Sequence, residues 1–400
     1  ITHDGGQQLI TGGVRRDSGA NEQYLFELRT AGDILTSNWD GDLFLDIRNA
    51  QVGATLALSG LTENQIAGGQ LNAKIWSRWE GASLQRATIE LEGSGLKIAG
   101  QNSTIVDAID ARGVAVRHPD GWSLALDQLR FESAHEAASE STASIRWRDR
   151  GEQSAMIAFR ANNVNLADAM SLAQGHVGIG GSVMAEFSEL GPRANIDEVV
   201  GAAFYTDGHI SRYFFEASVN DLSVAESART PGVSGFDFTV RANNNGGMVD
   251  PSQTGGVQVL GDDWLVEPVE VQKIHGNILW QNAPEGLNIS TEHLQIRTES
   301  IDFSTRGGIK SADTKNPLLD FVTRIDSGEL PRLHTLIPKN LLRPSGEKWL
   351  RNAFLSGRFQ PSGLIVRGYL NDFPFDQHTG TFKGSFDVTD VDLKYSAKFP

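Results

Sequence analysis

The stretch SGEKWLRNAFLSGRFQPSGLIVRGYL, residues 345–370, changes its hydrophobic period halfway and decides the fold class. Its first half predicts a helix over 345–356, with Ser345 as the N-cap and Gly357 as the glycine that ends it. The apolar residues of this helix recur at i, i+1, i+4 and i+5, which places them on one face. They are Trp349, Leu350, Ala353 and Phe354.

The residues that follow Gly357 alternate between apolar and polar, which is typical of β-strands. Strand patterns occupy 364–370, 382–388 and 391–395, and the aromatic segment Phe373-Pro374-Phe375 forms a rigid corner between the first two. We therefore predict terminal strands over 357–400. A second short helical pattern precedes this region at 328–338 and is closed by Pro338.

The same alternation runs through most of the chain and predicts a mainly β fold, an antiparallel sheet with one wet face and a few short helices. One further helix is predicted from Asn165 to Ala173, with Asn165 as its cap. The glycine- and asparagine-rich segment 243–256 is predicted to be a flexible excursion. The apolar positions of the alternation are Leu43, Leu45, Ile47, Ile89, Leu91, Trp122, Leu124, Leu126, Ile145, Trp147, Ile157, Phe159, Phe236, Phe238, Val240, Ile278, Trp280, Leu294, Ile296, Ile301, Phe303, Phe382, Phe386 and Val388.

The predicted helices are too few to cover the apolar side of so long a sheet. Three arrangements of the sheet are compatible with an apolar side that helices do not cover: a closed barrel, a stacked sandwich, or an open trough. An open trough would expose far more apolar surface than soluble monomers normally tolerate, so it would need an apolar ligand such as acyl chains. The residues alone leave all three solutions open.

Composition excludes several functional classes. The chain has 400 residues, no cysteine and a formal net charge of −15, so disulfides and thiol chemistry are excluded and nucleic acid binding is disfavoured. No apolar run approaches the roughly 20 residues that span a bilayer. The chain starts at Ile1 without a signal peptide pattern, so we interpret it as an internal fragment of a longer protein.

The sequence contains no convincing catalytic or metal-binding constellation. The nine histidines form no His-Glu-x-x-His helix, the segment Gly178–Gly181 does not complete a dinucleotide fingerprint, and no phosphate-binding loop occurs. His118 is interpreted as a turn residue, and the aspartates at 387, 390 and 392 as a solvated strand edge. We expect no catalytic residue, no metal and no cofactor. Six tryptophans are interpreted as core or sheet lining rather than as a platform for sugars: Trp76, Trp79, Trp122, Trp147, Trp264 and Trp280.

Two segments resemble a known family. The segment 280–400, with Leu336-Ile337-Pro338, Trp349-Leu350, Phe373-Pro374-Phe375 and a closing Pro400, resembles the YhdP branch of the AsmA-like, TamB-related envelope proteins of Gram-negative bacteria. The segment RHPDGWSLALD, residues 117–127, is similar to another recurring part of these proteins. One departure is Phe399, where the family usually has Trp.

The resemblance implies a curled β-groove that passes phospholipids between the inner and outer membranes. On this expectation, residues 1–400 form one continuous groove segment in the periplasm, and the full-length protein is anchored in the inner membrane. The apolar positions given above would line the groove, and the helical pair at 328–356 would cover or plug it through Trp349, Leu350 and Phe354. The expected partners are phospholipid acyl chains, and membranes through parts of the protein outside this chain. We expect no nucleic acid partner and a monomeric fragment. The alternative is a closed β-sandwich or solenoid that binds glycans, acts as an adhesin or scaffolds the envelope.

Overall fold

Strands dominate the computed structural model of the chain. It describes residues 2–4, 7–16, 21–34, 36, 38–52, 66–98, 104–133, 136–151, 154–174, 190–207, 209–227, 230–261, 265–312, 314–337, 339, 344–375 and 377–394. Within these ranges, 23 strands belong to one hydrogen-bonded sheet, and their pairings are antiparallel. The predicted fold class, a mainly β antiparallel sheet with few helices, is confirmed.

Two compact units divide the chain. The first comprises Ile1–Met184 and Ile196–Tyr213, and the second comprises Ala185–Asn195 and Phe214–Pro400. The first unit contains β1 to β10, one helix α1 and most of β11. These elements are β1 (Thr2–Asp4), β2 (Gln7–Arg16), β3 (Glu22–Asp33), β4 (Asn38–Gln51), β5 (Ile66–Glu80), β6 (Ser83–Ile98), β7 (Thr104–His118), β8 (Gly121–Ser133), β9 (Glu136–Asp149), β10 (Ser154–Asn165), α1 (Leu166–Gln174) and β11 (Arg193–Thr206).

The second unit contains most of β12 and all later elements. Its strands are β12 (His209–Val224), β13 (Gly232–Asn243), β14 (Gly246–Leu260), β15 (Val269–Gly276), β16 (Ile278–Ala283), β17 (Gly286–Thr298), β18 (Ile301–Lys310), β19 (Leu318–Glu329), β20 (Phe354–Phe359), β21 (Ser362–Tyr369), β22 (Thr381–Ser385) and β23 (Val388–Leu393). Its helical turns are η1 (Leu330–Arg332), α2 (Leu333–Leu336), α3 (Pro344–Ala353) and η2 (Leu370–Asp372).

Tight turns join many of the strands, which explains why consecutive strands pair with each other. Strands β5 and β6 meet at Gly81-Ala82, where both residues have positive φ. Strands β7 and β8 meet at Pro119-Asp120, just before Gly121. Each of these turns fixes the register of its hairpin, because a turn of set length allows only one pairing.

Helix α1 confirms the predicted helix at 165–173. The side-chain oxygen of Asn165 accepts a hydrogen bond from the backbone N–H of Asp168 at 3.1 Å, which is the predicted N-cap contact.

The boundaries of the later helices differ from those predicted. Gly328 and Glu329 belong to β19, so the helical segment starts at Leu330. Helix α3 spans Pro344–Ala353, which makes Ser345 its second residue rather than its cap. Phe354 was predicted on this helix and is instead the first residue of β20, because it pairs with Leu393 of β23.

Gly357 is likewise a strand residue and does not end a helix. It lies in β20 with φ +140°, and a Cβ there would come within 2.6 Å of Leu330 Cδ1. Only glycine combines this backbone conformation with so close a neighbour. The segment 243–256 is not a flexible excursion either. Asn244 and Asn245 form a two-residue turn between β13 and β14, which pair from Asn243 and Gly246 onward.

Most of the buried apolar residues that the structure describes in the first unit are alanines. Ala50, Ala73, Ala87 and Ala155 are each no more than 7% exposed. A larger cluster occurs in the second unit, where Ile325, Leu330 and Phe359 are buried together. Among the residues described, no helix is long and apolar enough to cross a membrane.

We predict that Gly357→Ala lowers the free energy of unfolding by about 1–3 kcal/mol, because alanine is strained at φ +140° and its Cβ meets Leu330. Urea denaturation followed by circular dichroism measures this change. The matched control is Gly363→Ala in β21, where a Cβ has no neighbour within 4 Å, and its effect should stay within about 0.5 kcal/mol. Equal effects of the two substitutions would contradict the assignment of Gly357.

Candidate functional site

The pairing of β2 to β10 places apolar side chains in rows that cross the first unit. Cross-strand partners in an antiparallel sheet lie on the same face, so a row can be followed from pair to pair. One row crosses all nine strands through Ile10, Leu28, Leu43, Ser77, Ala87, Ala115, Leu124, Ile145 and Phe159. The next row contains Gly12, Phe26, Leu45, Ile75, Ile89, Gly113, Leu126, Ala143 and Ala161.

These rows define the apolar face of the first unit. A third row adds Ile47 and Leu91 through Ala73, and a fourth joins Trp122, Trp147 and Ile157. The structure therefore brings together on one face all the first-unit residues that alternation selected: Leu43, Leu45, Ile47, Ile89, Leu91, Trp122, Leu124, Leu126, Ile145, Trp147, Ile157 and Phe159. That these residues line a lipid path stays a prediction.

Large side chains on this face keep much of their surface in water. Trp122 is 36% exposed, Trp147 38%, Phe26 37% and Ile145 43%. In a close-packed interior such side chains would lose almost all contact with solvent. The apolar face of the first unit is therefore accessible at these positions.

The second unit has an apolar face of its own. One row runs through Phe215, Ala242, Gly247, Trp280, Ile289, Ile309, Leu319 and Gly368. The predicted residues of this unit lie on the same side as that row: Phe236, Phe238, Val240, Ile278, Trp280, Leu294, Ile296, Ile301, Phe303, Phe382 and Val388. Phe386, between β22 and β23, lies against Phe359 with ring centroids 6.0 Å apart and the rings tilted at 55°.

The helical turns η1 and α2 pack on part of this second face. Leu330 is 4% exposed in a cluster with Ile325 and Phe359, and Leu333 packs against this cluster together with Ile301 and Phe303. Trp349 on α3 stands edge-on to Phe354 at 6.1 Å and remains 42% exposed. Leucines of η1 and α2 pack here, and of the predicted set Trp349, Leu350 and Phe354, Phe354 also packs against this cluster.

The aromatic residues divide between the two sides of the first unit. Trp39 and Trp79 stack at 5.7 Å on the side of Leu43, and Trp147 lies 6.2 Å from Tyr205. Trp76 is the exception among the tryptophans interpreted as core or lining, because it pairs with Phe44 on the opposite face. The alternation within β5 indicates this orientation, because Trp76 is two residues from Arg78 and adjacent to Ile75, and so lies on the same face as Arg78. Trp264 lies outside the described residues.

The opposite face of the first unit, defined by Glu27, Asp42, Asp46, Arg78 and Arg112, is charged and is called the polar face below. Its charges pair within and between strands: Arg78 Nε lies 3.0 Å from Asp42 and Arg112 Nε lies 3.9 Å from Glu90. Asp46 is nearly buried there and accepts hydrogen bonds from Arg48 at 2.5–3.1 Å. The hydrogen bonds from Arg48 hold the pKa of the Asp46 carboxyl below its usual value, although burial opposes them.

The structure gives no chemical role to the histidines singled out in the sequence. His118 is the last residue of β7, and its Nε2 lies 2.8 Å from the Ser123 hydroxyl. His334 Nδ1 bonds to the backbone oxygen of Pro331 inside the helical turn. In the part of the chain that the structure describes, no group of three or more His, Cys, Asp or Glu side chains is placed to hold a metal ion.

These features define an antiparallel β-sheet protein with an accessible apolar face and a charged face. A family model described as "YhdP protein" matches residues 5–400, and the chain therefore belongs to the YhdP family. This is a family of the Gram-negative cell envelope that is related to lipid transport. No curated protein and no solved structure matches the chain.

We predict that Asp46→Asn destabilises the protein at pH 7 by about 1 kcal/mol, the net value of one hydrogen bond. The folded-state pKa of Asp46 is lowered, so its stabilisation is complete above the unfolded value near 4 and is lost as the pH falls through the folded pKa. The difference from wild type should therefore shrink as the pH falls below about 4. Urea titrations at a series of pH values measure it.

The control for this prediction is Asp42→Asn. Asp42 also pairs with an arginine, but both partners are more than half exposed and solvent screens them. A smaller loss at pH 7 is expected for this variant. A pH-independent effect of Asp46→Asn would show that the charge of Asp46 does not stabilise the fold.

Proposed function

We propose that this chain conducts phospholipids across the periplasm between the inner and outer membranes, with acyl chains on its apolar face. The full-length protein would be anchored in the inner membrane, and the membranes would be contacted by parts outside this chain. The observation that carries the proposal is the set of apolar rows across β2 to β10, on which large side chains stay exposed.

The dimensions and chemistry of the face suit an acyl chain. Nine paired strands extend over eight spacings of about 4.8 Å, or about 38 Å, which exceeds the length of a lipid tail. Each methylene that leaves water contributes about 0.8 kcal/mol, so aliphatic and aromatic contacts alone can hold a tail. Charged head groups would stay in water, because burying them without partners is unfavourable.

The same face is suited to movement rather than storage. Leu43, Leu124 and Ile145 in one row and Leu45, Ile75 and Leu126 in the next offer similar contacts at successive positions. A tail that slides by one strand exchanges one set of aliphatic contacts for another, with little change in free energy. No catalytic residue, metal or cofactor is needed, since the work is desolvation of the tail.

The helical turns of the second unit would limit access to its apolar face. Leu330 and Leu333 occupy the surface formed by Ile301, Phe303 and Phe359. A lipid tail would have to displace these leucines or pass beside them. In this proposal the η1 and α2 segment, part of the helical pair predicted at 328–356, covers this face, and its displacement would open the face to lipid.

We predict that Ile145→Glu lowers the amount of phospholipid that co-purifies with the chain by at least about tenfold. The introduced carboxylate would lie in the row of Leu124 and Phe159, and a lipid tail bound there would remove water from it, which is unfavourable. Ile145 is 43% exposed, so the substitution leaves the packed interior intact. Native mass spectrometry and lipid extraction of protein expressed in bacterial cells measure the lipid content.

The matched control is Ser144→Glu, an exposed neighbour in β9 whose side chain points to the polar face. It adds the same charge and should keep the wild-type lipid content. Wild-type protein without lipid above trace amounts would overturn the proposal and favour a binding or scaffold module. Equal lipid content in the two variants would show that the apolar face is not part of the lipid path.

A further inference from the structure

Trp76 and Phe44 form an exposed aromatic pair on the polar face of the first unit, away from the proposed lipid path. Their ring centroids lie 5.3 Å apart at 31°, and Trp76 is 41% exposed. Thr88 continues their row on β6. Water-facing strand positions normally carry polar side chains, so two large rings at the centre of this face call for an explanation.

Charged side chains surround this aromatic pair and form the rim of a shallow depression of about 710 Å³. Its volume falls in the range of small-molecule sites. Asp42 and Arg78 pair on one side of the rings, and Glu27 pairs with Arg29 at 2.8 Å. The lining residues are Glu27, Arg29, Asp42, Leu43, Phe44, Trp76, Ser77, Arg78, Arg86 and Thr88.

Arg86 distinguishes this rim from an ordinary charged surface. It lies directly opposite Arg78 in the β5–β6 pairing, and among the described residues it makes no hydrogen bond or ion pair. Both carboxylates of the rim are already paired with Arg29 and Arg78. The rim therefore holds three guanidinium groups against two carboxylates and has a local positive charge in a chain of net charge −15. An unpaired guanidinium is suited to bind a carboxylate.

We infer that this depression binds a saccharide ring that carries a carboxylate. The C–H face of a pyranose stacks on Trp76 and Phe44, because it is the apolar side of an otherwise polar ring. Its hydroxyl groups lie in the ring plane, where Asp42 and Glu27 accept hydrogen bonds and Arg78 and Arg29 donate them. The carboxylate pairs with Arg86.

Two other ligand classes fit the depression less well. An acyl chain would strip water from five charged side chains and return no hydrogen bond to any of them. A peptide would find no free strand edge here, because β4, β5 and β6 are all paired on both sides. The aromatic rings and the charged side chains of the site lie on the face opposite the apolar rows, although Leu43 and Ser77 of those rows also border the depression. Its function does not depend on lipid transport.

The first measurement is binding of N-acetylmuramic acid, a pyranose with a carboxylate, and of N-acetylglucosamine, the same ring without the lactyl ether that bears the carboxylate. Saturation-transfer NMR and calorimetry on the intact chain are expected to give a Kd of about 1–10 mM for the acid and about tenfold weaker binding of the neutral sugar. No binding of the acid at 10 times this concentration would overturn the proposal. Tighter binding of a short glutamate peptide than of the acid would also overturn it, and would favour a peptide ligand.

Two variants test the named contacts. Trp76→Ala should abolish binding of both sugars, whereas Trp147→Ala, which removes a tryptophan from the apolar face, should leave it unchanged. Arg86→Gln should weaken binding of the acid about tenfold and leave binding of the neutral sugar unchanged. Because the side chain of Arg86 is exposed, this second variant should fold as the wild type does. Its control is Arg112→Gln, on the same face. If Arg86→Gln weakens both sugars equally, or neither, the carboxylate contact is wrong.

Discussion

The register of the antiparallel hydrogen bonds is the constraint on which the rest of the structure depends. Cross-strand partners lie on the same face, so the register of each pair determines which residues of the next strand lie on that face. A slip of one residue in any pair would exchange the two faces of every later strand. In the first unit the row that starts at Ile10 stays apolar or small as far as Phe159, across nine strands. Bulges occur, for example between Arg112 and Gly113, yet the partners beyond them return to the same sides: Ala111 faces Leu129, and Ala115 faces Leu124.

The distribution of side-chain size follows from this arrangement. In the first unit most of the buried apolar positions are small ones, such as Ala73 and Ala87, which are flanked by the strands on both sides. Larger residues, such as Ile145 and Trp147, remain partly in water. Where η1 and α2 pack on the second unit, a cluster with large buried residues forms around Leu330 and Phe359. The backbone hydrogen bonds must therefore supply much of the cohesion that a packed core supplies elsewhere.

Much of the fold could be predicted from the sequence, because alternation with a period of two shows strands and faces directly. Alternation assigns residues such as Leu124 and Ile145 to the apolar face even when their cross-strand partners are not known. The errors arose where a long-range contact decides the local structure. Phe354 fits the helical period, yet pairing with Leu393 makes it a strand residue, and the same strand demands an unusual glycine at 357. The run 243–256 contains loop residues, but Asn244-Asn245 form a tight turn and the glycines that follow pair with β13 and β16.

The rim around Trp76 shows what local patterns cannot supply. Alternation within β5 puts Trp76 on the face of Arg78, but it does not say which residues of other strands surround the ring. Pairing with Phe44 and Thr88 supplies these neighbours, and the four paired strands β3 to β6 bring Glu27, Asp42, Arg78 and Arg86 to the same rings. Because consecutive residues of a strand point to opposite faces, Trp76 and Ser77 can serve different surfaces without competing. A sheet of this kind can carry an apolar path on one face and a polar binding site on the other, and its backbone needs no change to accommodate either.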